Sequence, residues 1–380
     1  MTVKVPFYQH DLGTLELGAI AEVFRGPILT TGETVSAFEK AFAAFLGSRH
    51  AMGVTSCTGA MHMALMALNI GPGDEVITTP MTFIATAAAI LETGATPVFV
   101  DVEADTGNID AKLVEAAITP RTKAILPVHL YGLLCDMRAL RAIADKHGLA
   151  IVEDAAHCVE GIRDGVRPGG LSNAACFSFY ATKNLTCGEG GALTTDDPVL
   201  LESLRLLRLH GMTKSAADRH REGYQHWDMK ILGWKYNMDN IQAAMLMPQL
   251  QRLPDKLKER ERLAGLYNER LGRLNWLQIP TLPQDTVHAR HLYPIWVDAH
   301  LRDQLIQGLH ERGIPTVVNY RAIHLTSYLG DKLGYKAGDF PVAESIGDRT
   351  LSLPFYPGMP DEHIDIVCEA LQELAVQSRR

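Results

Sequence analysis

Cys176-Phe177-Ser178-Phe179-Tyr180-Ala181-Thr182-Lys183-Asn184, leading into Gly188-Glu189-Gly190-Gly191, is the stretch from which the rest of the chain is read. An apolar, aromatic run of this kind reads as a buried strand. A lysine at its end, followed by glycines, sits where a buried ammonium is costly. The cost falls if the lysine gives up its proton, or if its amine condenses with a carbonyl. Upstream, Ala150-Ile151-Val152-Glu153-Asp154-Ala155-Ala156-His157 is a second apolar strand ending in an acid. A Schiff-base lysine with a strand-end aspartate is what pyridoxal 5'-phosphate (PLP) chemistry requires.

Around these two strands, residues 51 to 200 alternate short strands with helices. Strands are predicted at Ala51 to Thr55, Glu75 to Thr79, Pro97 to Val100, Ala124 to Val128 and Gly191 to Thr195. Helices are predicted at Gly59 to Leu68, Phe83 to Glu92 and Met137 to His147, the last ended by Gly148. This order implies an α/β fold with a mostly parallel sheet covered on both faces. In such sheets ligands collect at the carboxyl ends of the strands, where Asp154 and the Thr55 to Gly59 turn both fall. Residues 200 to 235 are polar, carry His210, His220, His226 and Trp227, and read as a loop. Gln249 to Leu274 reads as a long charged helix leading into a smaller domain that ends with Asp361 to Gln377. The expected division is a large domain over 1–250 and a small C-terminal domain over 251–380.

At 380 residues the chain exceeds the usual size of one core, and 47% apolar with 21% charged residues is ordinary for a globular protein. The net charge of −8 gives no electrostatic footprint for nucleic acid, although it does not exclude an anionic substrate. The N-terminus lacks the apolar segment of a signal peptide, and no stretch is apolar for long enough to span a bilayer. The six cysteines show no CxxC pairing and read as reduced thiols of a cytosolic, cytoplasmic protein. Cys158 and Cys176 read as packing. Cys187 is near Lys183 in sequence, which is a weak reason to give it chemistry. No metal ligands are assigned.

Four features converge on the cofactor. At Thr55-Ser56-Cys57-Thr58-Gly59 a strand turns into a helix, whose N-terminus offers free N–H groups to a phosphate. Alone, a plain helix cap is the simpler reading. Asp154 can hold a pyridine nitrogen protonated by charge pairing, and His157 can bond a cofactor oxygen or meet the ring face. Ser178 can reach a phosphate, and Phe83, at another strand-to-helix turn, can stack on the ring. For Phe83 alone, core packing is the simpler reading.

Taken together, the stretches TSCTGAMHMAL, GPGDEVITTPMTF, GATPVFVDVEADTGNID, AILPVHLYG, IVEDAAHCVEG, FSFYATKNLTCGEGGAL, RLHGM, GWKYNMDNIQAAMLMPQL, NYRAIHL and LSLPFYPGM resemble the DegT/DnrJ/EryC1/StrS sugar aminotransferases. The resemblance covers nearly the whole chain. It implies PLP-dependent transferase fold type I: a seven-stranded, mostly parallel sheet, a small C-terminal α/β domain, and a homodimer with shared active sites. It carries over Lys183 as the Schiff-base lysine and Asp154 as the pyridinium partner. Thr58, Gly59 and Ser178 match phosphate-binding positions, Phe83 the stacking aromatic, and His157 a position held by glutamine or histidine. In GWKYN the family often sends an asparagine into the partner's phosphate site. Lys235 stands there, so Asn237 is favoured and Lys235 is its rival.

The resemblance further implies L-glutamate as donor, leaving as 2-oxoglutarate, and a nucleotide-linked keto-sugar as acceptor. The closest wording is to enzymes that aminate C4 of UDP-sugars for lipopolysaccharide or other glycans. Tyr320, Arg321 and His324 are candidate substrate contacts, with Arg208 and His210 at the entrance as weaker ones. Packing for Tyr320 and a plain surface charge for Arg321 remain open. A dehydratase branch of the family replaces the lysine with histidine, and a non-catalytic regulator need not keep Lys183, Asp154 and Ser178 together. Amino transfer is therefore the leading expectation.

Overall fold

The computed structural model describes residues 3–214 and 226–377. Its centre is a seven-stranded sheet made of β1 (His50–Val54), β2 (Glu75–Thr78), β3 (Thr96–Phe99), β4 (Thr122–Ile125), β5 (Ala150–Asp154), β6 (Ala174–Ser178) and β7 (Gly191–Thr195). The spatial order is β1-β7-β6-β5-β4-β2-β3. β7 runs antiparallel to both neighbours, and the other pairings are parallel. Four helices flank the N-terminal half of the sheet: α1 (Thr14–Arg25), α2 (Glu33–Leu46), α3 (Cys57–Ala67) and α4 (Ile84–Glu92). They are followed by α5 (Met137–His147), α6 (Pro198–Arg208) and α7 (Asn240–Leu271).

The two-residue period of β6 explains its composition. Phe177 and Phe179 point to one face, where Phe38 and Phe42 of α2 meet them edge-on at ring separations of 5.1 to 5.6 Å. Cys176 points to the other face and packs in a core built from α3 and α6. Ser178 shares that parity and emerges at the strand end, beside the start of α3. Asp154 is paired in register with Cys176. One sheet edge thus delivers a hydroxyl and a carboxylate to the same side.

The loop expected from residue 200 is helical at its start. Asp197 caps α6 by accepting from the Val199 and Leu200 N–H groups, Pro198 opens it, and Leu200, Leu201, Leu204 and Leu207 form its buried face. His220 lies outside the described residues. The long helix starts at Asn240 rather than Gln249, because Asp239 and Gln242 form a capping box, and it ends at Leu271. Its early residues Leu246, Leu250 and Leu253 pack under the large sheet, whereas Leu263, Tyr267 and Leu271 belong to the C-terminal core. That core surrounds a small antiparallel sheet of Leu277–Gln278, Tyr293–Val297 and Thr350–Leu353 and takes in Val5 from the N-terminal segment. Among the described residues no helix is long and apolar enough to cross a membrane.

Gly191 sets the seat of α3. A Cβ there would lie 2.5 Å from the Ser56 carbonyl carbon, 2.6 Å from the Cys57 nitrogen and 2.7 Å from the Phe177 oxygen, all backbone atoms. Gly191→Ala is therefore expected to destabilise the fold by about 2 kcal/mol or more, through forced displacement of the α3 N-terminus. Urea unfolding measures this, and an unchanged midpoint would refute the tight crossing.

Candidate active site

A cavity of about 630 Å³ opens at the carboxyl ends of β1, β2, β5 and β6. Lys183, Asp154, His157, Ser178, Thr58, Phe83 and Tyr320 all line it. These residues come from five separate segments of the chain, four of which the parallel sheet gathers at the ends of its strands.

Lys183 follows β6 on a pinned turn. Its N–H donates to the Tyr180 carbonyl at 2.9 Å, and the Cys187 and Thr186 backbone groups tie the loop to Phe179 and Gln249. Burial brings the Lys183 amine down from 10.5 to about 8, with Asp154 and Cys57 pulling in the opposite direction. Asp154 is met by donors: Thr86 Oγ1 at 2.7 Å, the Ala156 N–H at 3.1 Å and the Cys57 thiol at 3.8 Å. Burial and the adjacent Asp154 push that thiol well above its ordinary range, so Cys57 stays neutral. His157 accepts the Tyr131 N–H on Nδ1 at 3.3 Å and lies 3.2 Å from the Tyr320 hydroxyl through Nε2. Burial, then the Lys183 charge, hold its pKa well below 6.5. The Phe83 ring is 55% exposed and stands 6.0 Å from the Tyr320 ring, an open platform at the cavity wall.

Some expected residues are placed elsewhere. The Gly59 N–H already donates to Ser56 Oγ at 3.0 Å. Gly59 instead lets Tyr236 approach, since a Cβ would meet that ring at 3.3 Å. Ser56 is thus the cap, and Thr58 lines the cavity from the first turn beside Cys57. His324 is turned away: the short turn Ile323–Leu325 buries its ring against Phe340, with Nε2 3.0 Å from Glu344. Arg321 is exposed and does not line the cavity. Arg208 is spent on Glu39 and the Gly53 carbonyl, and His210 is exposed with its N–H on the Trp234 carbonyl. Asn237, favoured over Lys235, is buried and donates to Thr31 Oγ1 at 2.7 Å, while Lys235 is the exposed member of the pair and donates to it. Cys187 is buried, bonded to the Glu189 carbonyl at 3.2 Å, and pushed up to about 12 by burial, so it is no nucleophile.

Three polar residues of the site, Thr86, His291 and Asn184, are not singled out by the sequence reading. Thr86, in a small-residue helix, anchors Asp154 and is joined by Thr82 at 2.8 Å. His291 stands 3.5 Å from Lys183 Nζ, and Asn184 stands behind it. A threonine inside an apolar helix and an asparagine next to the lysine are the available hints. Among the described residues no group of three His, Cys, Asp or Glu could hold a metal ion.

The model of the DegT/DnrJ/EryC1/StrS aminotransferase family matches residues 10–372. The chain belongs to that family. It is 45% identical over 376 residues to the spore coat polysaccharide biosynthesis protein SpsC of Bacillus subtilis, covering 97% of each chain. DesV of S. venezuelae, solved in complex with a ketimine intermediate, superposes with a TM-score of 0.92 at 39% identity over 98% of this chain and 99% of that one. The PMP form of Spr1654 from Streptococcus pneumoniae does so with 0.93 at 29% identity over 98% and 100%. This family member is a PLP-dependent sugar aminotransferase. Its donor set fits the cofactor: a buried amine, a carboxylate fixed by donors, hydroxyls beside a helix N-terminus and an exposed ring lie around one cavity.

In the cofactor-free protein, Lys183 should react with an amine-directed reagent along a titration curve centred near pH 8. Peptide mapping of the modification rate against pH checks this. A Lys183 curve centred above about 10, the ordinary lysine range, would refute the burial argument.

Proposed function

We propose that the enzyme moves the amino group of L-glutamate, released as 2-oxoglutarate, to the C4 keto carbon of a UDP-linked sugar in two half-reactions. The observation that carries this reading is the single cavity shared by Lys183, Asp154, Thr58 and Ser178. The relation to SpsC, a spore coat polysaccharide biosynthesis protein, supports a sugar that enters a polysaccharide. When bound, PLP supplies an electron sink for the carbon that loses or gains the amine.

Thr58 and Ser178, with the first turn of α3, would hold the phosphate, and Phe83 would stack on the ring. Asp154 would pair with the ring nitrogen and hold it protonated. Lys183 would hold the cofactor through Nζ and, once released as an amine, would accept and give back a proton at Nζ. A pKa near 8 suits this, because both forms are accessible near neutral pH, whereas at an ordinary lysine pKa almost no free amine would be present. Tyr320 meets the sugar side.

The assembly we propose is a homodimer with shared sites, in the cytoplasm as the unpaired cysteines suggest. Among the described residues lining the cavity, Lys183 is the one ammonium or guanidinium side chain. A nucleotide diphosphate needs more positive charge than that, which a second copy can bring. Exposed apolar side chains, Leu29 at 49%, Ile84 at 49% and Leu232 at 72%, suit such an interface. The exposed Lys235 is better placed than Asn237 to enter a partner's phosphate site.

L-glutamate added to the PLP-loaded enzyme without sugar should abolish the cofactor's resting absorption band and raise that of its amine form. A resting band that ignores glutamate would overturn the donor. Lys183→Ala should remove turnover and leave the circular dichroism spectrum unchanged. Asp154→Asn should retain cofactor yet slow turnover by about 100-fold or more, since the ring nitrogen loses its charge partner. Unchanged turnover in either variant would sink the role given to that residue.

A further inference from the structure

Behind Lys183 a chain of hydrogen bonds ends on its amine. The Asn184 amide nitrogen donates to the two Glu160 carboxylate oxygens at 3.0 and 3.3 Å and to the Ala289 carbonyl at 2.9 Å. Arg260, permanently charged, pairs with Glu160, and both are nearly fully buried. All three contacts of the Asn184 nitrogen are acceptors, so its NH2 must face them and its Oδ1 must face away. That oxygen lies 3.3 Å from His291 Nδ1. An amide oxygen can only accept, so His291 carries its proton on Nδ1. Its Nε2 is then a bare lone pair, 3.5 Å from Lys183 Nζ.

The neighbouring histidine is arranged the other way. His157 spends Nδ1 on the Tyr131 N–H, so its proton sits on Nε2, toward the Tyr320 hydroxyl. The two rings pack with centroids 4.4 Å apart and carry opposite tautomers. Of the two imidazoles, His291 alone offers the amine a lone pair.

We propose that His291 is a positioning residue for the Lys183 amine, with its tautomer imposed by the buried Glu160–Arg260 pair through Asn184. By accepting one N–H, Nε2 keeps a hydrogen rather than the nitrogen lone pair on the His291 side. The lone pair of Lys183 is thereby left to the cavity, where a proton must be collected. This rests on the reading of Lys183 as the reacting amine.

Two measurements test it. In the full-length, cofactor-free protein labelled with 15N-histidine, long-range 1H–15N correlation spectra at pH 7 should show His291 protonated on Nδ1 alone, with the resonance assigned by its loss in His291→Gln. In the PLP-loaded enzyme, His291→Leu should lower kcat by about 100-fold, the cost of a misdirected reacting group, with KM for the amino donor changed less than about threefold. His291→Gln, whose carbonyl oxygen can accept the same N–H, should recover at least about tenfold of that loss. A proton on Nε2, an imidazolium at pH 7, or a leucine variant with wild-type kcat would overturn the proposal. If His291→Leu fails to fold, the tautomer decides on the wild-type chain. Lys183→Ala run alongside separates the two readings. An active Lys183→Ala removes the role of Lys183 itself, whereas an inactive one beside an active His291→Leu removes only the positioning role.

Discussion

The site depends on one unfavourable act, the burial of a primary amine at the end of an apolar strand. Holding a lysine near 8 instead of 10.5 corresponds to roughly 3 kcal/mol against its charged form. A carboxylate in contact would cancel that bias, and the group found at hydrogen-bonding distance from Nζ is a neutral imidazole. Asp154 is near enough to pull the amine back toward its ordinary value, yet its oxygens are occupied by Thr86, Ala156 and Cys57. The charges of Glu160 and Arg260 are cancelled within one buried pair a residue further back. Desolvation therefore outweighs attraction, and the surrounding polar groups act by direction rather than by charge.

That balance requires the strands to end at fixed heights. Phe177 and Phe179 are clamped by the rings of α2, and Gly191 lets the start of α3 cross β7 at backbone contact. With β5 and β6 in register at Asp154 and Cys176, the strand ends are locked relative to one another. Rigid elements then hold the hydroxyl, carboxylate and helix terminus, while the lysine sits on a short turn tied down at both sides.

What the sequence made legible follows from the same geometry. Lys183, Asp154, Ser178, Thr58 and Phe83 lie where a two-residue period stops or a helix starts, and such changes of period are visible in one chain. The alternation of strands and helices made the parallel sheet legible for the same reason, and the family resemblance carried its strand count. His291 and Asn184 are 107 positions apart, and no local pattern says that their loops meet. Thr86 looks like any small residue in an apolar helix until Asp154 is placed over it. His324 misled because its motif fixes the neighbours in sequence but not the direction of the ring, which a single short turn reverses. Gly59 has a second duty that no motif shows: its smallness admits Tyr236, and its N–H bonds the Ser56 cap.

The paired histidines show why such details matter to the chemistry. Two neutral imidazoles in van der Waals contact would be interchangeable if burial alone set their state. Each is instead keyed by a donor or acceptor it cannot exchange, the Tyr131 backbone N–H for His157 and the Asn184 oxygen for His291. Burial with a nearby Lys183 charge keeps both rings uncharged, so neither competes with the lysine for the role of cation. The cavity thus presents one hydrogen-bond donor toward Tyr320 and one acceptor toward Lys183, built from the same side chain used twice. A proton taken up at Nζ faces imidazoles whose protonation burial disfavours, so it is kept for the cavity rather than lost to the protein.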